Sequence, residues 1–299
     1  MRCAYHTDYF LPLPASHPFP MAKYPLLFAR LLRDGVIAVE DVIRPSEANI
    51  DSLGLVHASE YLGLLAAGAL DAAAVRKLGV PWSPALWRRS RLAAQGTLEA
   101  ARAALEDGLA GNLAGGTHHA FPSHGEGFCV LNDVAIAIRV LQREGTIRRA
   151  LVIDLDVHQG NGTAAIFEDD PEVFTFSMHG ERNYPTRKMR STLDVALADG
   201  VGDDEYLELL GRNLAGILAK FPADLVLYLA GVDVVQGDRY GRLALTDMGL
   251  RRRERHVLET CRRAGLPVAI TIAGGYAATP ERTAGLHAIV FEEARAQFG

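Results

Sequence analysis

Short apolar runs rich in branched residues alternate along the chain with longer segments of helical period, the pattern of a parallel sheet covered by helices. Residues 150–156, 173–178, 225–230 and 267–273 read as strands, and each ends in a polar or glycine-rich stretch, at 157–162, 179–181, 231–233 and 274–276. In an open α/β sheet ligands bind beyond the carboxyl ends of the strands, so these four stretches are expected to share one crevice. Residues 112–116 form a weaker fifth strand leading into Thr117, His118 and His119. Residues 131–143 read as a helix with Leu131, Ala135, Ile138 and Leu141 as its buried stripe, and the alanine-rich segments 61–77 and 95–106 read as helices too. A further helix spans 247–264, with Leu250, Val257, Leu258 and Cys261 as its apolar face. The run Arg251, Arg252, Arg253 and Arg255 then reads as a solvated outer face rather than a phosphate site. The stretch 79–87 carries two prolines and both tryptophans, which suit the rim of a binding site and burial against a helix equally well. No linker, low-complexity tract or fixed repeat interrupts the pattern. The expectation is α/β: residues 1–299 as a single domain, a central, mostly parallel sheet with helices on both faces.

Composition narrows the class. Of 299 residues, 49% are hydrophobic and 22% charged, which supports a large core and excludes disorder. A formal net charge of −5 argues against a nucleic-acid binder, which needs a basic surface. Cys3, Cys129 and Cys261 are odd in number, far apart and without a CxxC pair, which predicts a reducing compartment. Residues 1–8 lack the apolar core of a secretion signal and no later run approaches membrane-spanning length, so a soluble, cytoplasmic protein without a membrane partner is expected.

The chemistry concentrates at the strand ends. Asp154, Asp156 and His158 alternate at the end of the 150–156 strand, which points them to one face. An apolar strand end desolvates two carboxylates and an imidazole only where a cation or a hydrogen-bond network compensates them. Capping of the following helix explains just one of the three. Asp233 ends another strand and supplies a further oxygen ligand; two Asp and one His leave the open position that a catalytic zinc needs. His118 and His119 follow Gly115 and Gly116, and neighbouring imidazoles can serve as acid and base in one reaction. Tyr276 puts a phenol after Gly274 and Gly275, where it can donate to a developing oxyanion. His6, His17, His57, His124, His179, His256 and His287 read as structural or exposed.

Together these segments resemble the histone deacetylase superfamily. The resemblance runs through Gly115-Gly-Thr-His-His-Ala120, Gly127-Phe-Cys-Val-Leu-Asn-Asp133, Asp154-Leu-Asp-Val-His-Gln-Gly-Asn-Gly162, Ala230-Gly-Val-Asp233 and Gly274-Gly-Tyr276. Their order and spacing span most of the chain and look most like the class IV and related bacterial members. The resemblance implies the arginase/deacetylase fold, one zinc held by Asp156, His158 and Asp233, and hydrolysis of an N-acetyl- or longer N-acyl-lysine amide or a related acylated amine. The same ligands serve ferrous iron. It further implies His119, with His118, as general base, Tyr276 as polariser of the acyl carbonyl, Asp154 as partner of His118, and Gly127, Phe128 and Tyr184 as the channel for the lysine stem. Backbone oxygens of Asp154, Asp156, His158 and Met178, with the Ser177 hydroxyl, match the superfamily's inner potassium or sodium site.

Three departures stand out. Asn161 occupies the place where many members carry the Asp that pairs with the second His, Ala273 replaces the first Gly of the usual Gly-Gly-Gly-Tyr, and no acidic residue matches the one that grips a peptide backbone at the rim. Two other classes remain open. A binding module for acylated ligands would keep the fold without turnover, and a two-metal ureohydrolase would need a second set of Asp and His ligands.

Overall fold

Apolar runs that are followed by a loop and a helix, rather than by a two-residue turn, pair in parallel, because the chain must cross back before the next strand begins. The computed structural model describes residues 1–14 and 16–298. Its strands are β1 (Cys3–Ala4), β2 (Val42–Ile43), β3 (Leu109–Asn112), β4 (Ala150–Asp154), β5 (Val173–Gly180), β6 (Leu193–Leu197), β7 (Leu225–Leu229) and β8 (Val268–Thr271). They form one sheet in the order β2-β1-β3-β8-β7-β4-β5-β6, and every pairing is parallel. Every residue of β4, β7 and β8 is buried, as happens when both faces of a sheet are covered. Asp154 pairs with Leu229, and Leu229 with Thr271, so the loops after β4, β7 and β8 leave the same edge side by side.

Ten helices flank these strands among the described residues: α1 (Lys23–Arg33), α2 (Ile50–Leu53), α3 (Ser59–Ala67), α4 (Ala72–Leu78), α5 (Pro84–Asp107), α6 (Asp133–Arg143), α7 (Asn161–Phe167), α8 (Asp203–Leu218), α9 (Asp247–Arg263) and α10 (Pro280–Phe298). α5 packs on α6, β3 and β8, while α1 and α9 pack on α10 and α8 on α9. α5 buries Ala93, Ala94, Ala100, Ala101 and Ala104, small side chains that let it lie close to the strands. None of these helices is long and apolar enough to cross a membrane.

The elements depart from the sequence pattern in several places, each for a local reason. The strand expected at 112–116 is β3, which shares only Asn112 with that range, and 113–116 is already loop. The 61–77 helix is two helices: Gly68, with φ +66°, ends α3 in a left-handed conformation, and Asp71 caps α4 by accepting from the Ala74 amide. The 95–106 helix starts much earlier, at Pro84, with the Ser83 side chain accepting from the Leu86 amide. That start places Trp87 on α5, and Trp82 donates to the Leu65 carbonyl at 2.9 Å, so both tryptophans pack against the core rather than forming a site rim. β4 ends at Asp154, so Asp156 and His158 lie on the loop beyond it instead of alternating within the strand.

Arg253 overturns the reading of the arginine run as a solvated face. Arg251, Arg252 and Arg255 are themselves partly or well exposed and pair with Glu292, Asp204 and Glu293, but Arg253 is fully buried. Its guanidinium donates to the Leu155 carbonyl at 3.0 Å and the Gly231 carbonyl at 2.7 Å and pairs with Glu254, which in turn accepts from the Tyr228 hydroxyl. One side chain thus ties the loop after β4 to the loop after β7. Removing one partner of a buried ion pair costs about 3–5 kcal/mol because the other is left uncompensated. Arg253→Met is therefore expected to lower unfolding free energy by about that amount in urea titrations; a loss below about 1 kcal/mol would show that the guanidinium is dispensable.

Candidate functional site

Asp156 and His158 follow β4 and Asp233 follows β7, and one possible ligand atom from each lies within 4.8 Å of the others. All three residues are buried. His158 Nδ1 sits 2.9 Å from Asp156 Oδ1 and 3.2 Å from Asp233 Oδ2. Backbone amides aim the carboxylates: Val157 donates to Asp233 Oδ1 at 2.9 Å, His158 to Asp156 Oδ1 at 2.9 Å, and Gly274 to Asp156 Oδ2 at 2.7 Å. Gly274 has to be glycine, because a Cβ there would lie 2.0 Å from Asp233 Oδ2 and 2.5 Å from Asp156 Oδ2.

The electrostatics of this trio call for a positive charge. Burial and the charge of Asp156 push the Asp233 carboxyl up. Burial opposes a charged His158, yet its hydrogen bond to Asp156 and the close carboxylate of Asp233 lift its pKa to about 10. Asp233 Oδ2 is buried and receives no well-formed hydrogen bond. Two hard oxygens and one imidazole, one oxygen of them unsatisfied, fit a divalent ion such as zinc or ferrous iron. Among the described residues this is the one such group of three.

The histidine pair stands beside the trio. The loop that carries it is pinned by Asp133, whose carboxylate accepts from the Gly116 amide at 3.1 Å and the Thr117 amide at 2.8 Å. His118 Nδ1 contacts Asp154 Oδ2 at 2.7 Å, and His119 Nδ1 contacts Asn161 Oδ1 at 2.7 Å. The two rings are 4.1 Å apart but differ sharply in proton affinity. Burial disfavours the charged form of His118, and the carboxylates of Asp154 and Asp156 outweigh it and raise the pKa to about 9. Burial and the charge of His118 hold His119 well below the usual histidine range. Asn161 is the first residue of α7, and its side chain reaches His119 instead of capping the helix.

Tyr276 follows β8, with its amide donating to Asp238 Oδ2 at 2.6 Å and its carbonyl accepting from Arg239 at 3.1 Å. Burial and the nearby charges of Asp156 and Asp233 keep its phenol protonated. A cavity of about 350 Å³ brings His118, His119, Asp156, His158, Gly127, Phe128, Tyr184 and Tyr276 together. The Tyr184 ring stands edge-on to His119 at 4.9 Å, and Phe128 lies 6.1 Å from Tyr276. Asp233 and Asn161 sit behind that lining, against His158 and His119 respectively. Asp154, Ser177 and Met178 lie together on β4 and β5, with Asp154 paired to Ser177. Asp156 is the one carboxylate among the residues lining this cavity.

Several site residues escape the sequence reading. Phe19 and Tyr240 complete the aromatic wall, at 6.0 and 4.9 Å from Tyr276. Glu126 is buried behind the channel. Lys23, buried on α1, donates to the Ala273 carbonyl at 2.9 Å, and burial lowers its pKa to about 8. Its spacing from Leu27 and Leu31, one and two helical turns on, is the available signal. Ala273 itself stands at φ +47°, a left-handed conformation that an L-residue adopts at a cost of about 1–2 kcal/mol. Ala273→Gly relieves that cost and adds about 0.4–1 kcal/mol of unfolded-chain freedom, so a net gain of up to about 1.5 kcal/mol is expected. Urea midpoints check it; a loss of stability contradicts the strain at this position.

Comparison with known proteins agrees with this arrangement. The histone deacetylase domain matches residues 17–290. An uncharacterized protein of Picosynechococcus sp. is 51% identical over 291 residues, covering 97% of each chain. Histone deacetylase 2 of Arabidopsis thaliana is 31% identical over 276 residues, 89% of this chain and 71% of its own. The crystal structure of an HDAC homolog complexed with SAHA superposes with a TM-score of 0.83 at 25% identity, covering 99% of this chain and 84% of that one. With a domain match over nearly its whole length and the sheet topology to go with it, this chain belongs to the histone deacetylase family.

Proposed function

We propose that the chain is a single catalytic domain that hydrolyses the amide of an N-acetyl- or longer N-acyl-lysine, or of a related small acylated amine, using zinc or ferrous iron at Asp156, His158 and Asp233. One observation carries the reading: Asp156 and His158, with Asp233 directly behind them, meet the histidine pair and Tyr276 at one cavity walled by aromatic rings. When bound, the cation would supply Lewis-acid polarisation to the acyl carbonyl and to water. Gly127, Phe128 and Tyr184 enclose the aliphatic stem and exclude bulk water. His119, neutral because it is buried beside a charged His118, accepts the proton of the attacking water at Nε2 and delivers it to the leaving amine. The Tyr276 phenol donates to the carbonyl oxygen as negative charge grows there. His118, held charged by Asp154, adds a fixed positive charge next to the reacting atoms.

The same reading assigns a structural potassium or sodium ion to the oxygens of Asp154, Asp156, His158, Ser177 and Met178. The three free, buried cysteines support a reducing, cytoplasmic setting. No acidic residue of the sequence matches the one that grips a peptide backbone in the family, which suits small acylated amines as well as peptides.

Asp156→Ala, His158→Ala and Asp233→Ala are each expected to abolish hydrolysis and lower metal content by elemental analysis. Full metal occupancy in all three would overturn the ligand assignment. Tyr276→Phe keeps the ring and deletes only the donor, so kcat should fall by about 10²–10³ while SAHA, the compound seen on the HDAC homolog, still binds. An unchanged kcat would reduce Tyr276 to packing. Acetyl-lysine peptides, long-acyl-lysine peptides and acetylpolyamines, assayed on the metal-loaded enzyme, identify the substrate; no turnover of any of them favours the binding module.

A further inference from the structure

The carboxylate that serves His119 is one residue removed from it. Glu126 lies on the turn before Gly127, with its side chain almost fully buried. Its Oε1 accepts from Asn161 Nδ2 at 2.7 Å and from the Tyr184 hydroxyl at 2.8 Å. Its Oε2 lies 3.0 Å from Lys77 Nζ and 3.3 Å from His124 Nε2. Burial alone would raise this carboxyl, but the partners His124, Asn161, Lys77 and Tyr184 hold it well below the usual carboxylate range. It is a fixed negative charge with no contact to the trio of metal-ligating residues.

An ionised carboxylate only accepts, so the amide nitrogen of Asn161 must face Glu126 and the amide oxygen must face His119. That oxygen also only accepts, at 2.7 Å from His119 Nδ1. Nδ1 therefore carries the ring proton, and Nε2, the nitrogen away from Asn161, keeps its lone pair. Were the amide reversed, its NH₂ group would face Nδ1 and the other tautomer would be favoured. We propose that Glu126 is a positioning residue for hydrolysis: through Asn161 it selects the Nε2-basic tautomer of His119, and through the Tyr184 hydroxyl it fixes the channel wall beside that ring. The proposal rests on His119 being the base, and it extends to a residue outside every motif on which the family resemblance was built. It also explains how a neutral Asn161 can stand where an Asp is usual: the charge has moved outward by one hydrogen bond.

Kinetics of the metal-loaded full chain test this with Glu126→Gln, Asn161→Asp and the double variant, each with metal content measured. In Glu126→Gln the new side chain offers a donor as well as an acceptor and no longer dictates the direction of the Asn161 amide. There kcat is expected to fall by about 10–100-fold, the usual range for an outer partner of a site residue, at unchanged metal content. Asn161→Asp puts two carboxylates against each other and should also lose kcat. In the double variant the introduced glutamine donates to the introduced aspartate, which accepts from His119 Nδ1, and most of the wild-type kcat should return. A purely structural Glu126 cannot give that rescue. Wild-type kcat in Glu126→Gln, metal loss in that variant, or a double variant no better than the product of the single losses would each overturn the proposal. His119→Ala, run in parallel, separates the two levels: substantial activity there removes His119 as base, whatever Glu126 does.

Discussion

Two carboxylates held side by side out of water set the terms for everything around them. Asp156 and Asp233 repel each other, and no arrangement of apolar residues would tolerate the pair. The protein answers with donors that are themselves fixed. The amides of Val157, His158 and Gly274 point at their oxygens, and the Arg253 guanidinium grips carbonyls at the base of both loops. Lys23 stands behind the third loop, on the carbonyl of Ala273. These contacts spread compensation over the parallel edge but leave one oxygen of Asp233 without a proper donor, and that remaining demand is what a divalent ion would meet.

The same excess of negative charge separates two adjacent, chemically identical side chains. His118 faces Asp154 and Asp156 and is drawn towards its charged form. His119 faces a neutral amide and the charge of its own neighbour, and is driven the other way. A tandem pair thus sets a group drawn towards the charged form beside one driven towards the neutral form, 4.1 Å apart. The partner on each Nδ1, carboxylate for one and amide for the other, decides which is which.

Periodicity makes the centre of the sheet legible, since the runs that form β4, β5, β7 and β8 are apolar throughout most of their length. The ends of β4, β7 and β8 are overestimated, because Asp156, Ala230 and Ala273 extend the pattern beyond the last paired residues, whereas β5 runs two residues past its expected end, to Gly180. β1 and β2, two residues each, are too short to show any period. Most of the expected site residues are readable because they stand at strand ends. Those that the sequence hides act from elsewhere. Arg253 lies three residues after Leu250 and four before Val257, so helical spacing already puts it on the buried stripe; the charge of its neighbours obscures that. Glu126 sits in a loop with no period, and nothing short of the folded contacts reveals it.

The strand order has a bearing on how such a chain is made. β3 and β4 are separated by 37 residues, from Leu113 to Arg149, yet between them in the sheet lie β7 and β8, which come last in the sequence. A polypeptide emerging from the ribosome therefore exposes two central strands long before the pair that will separate them has been synthesised. Their open edges are the kind of unpaired backbone that invites improper pairing. Asp233 and the Gly274 amide are supplied by the same late segment, so the Asp156, His158 and Asp233 trio and the middle of the sheet are completed together. Biosynthesis thus leaves no stage at which a half-made chain could already present the finished trio.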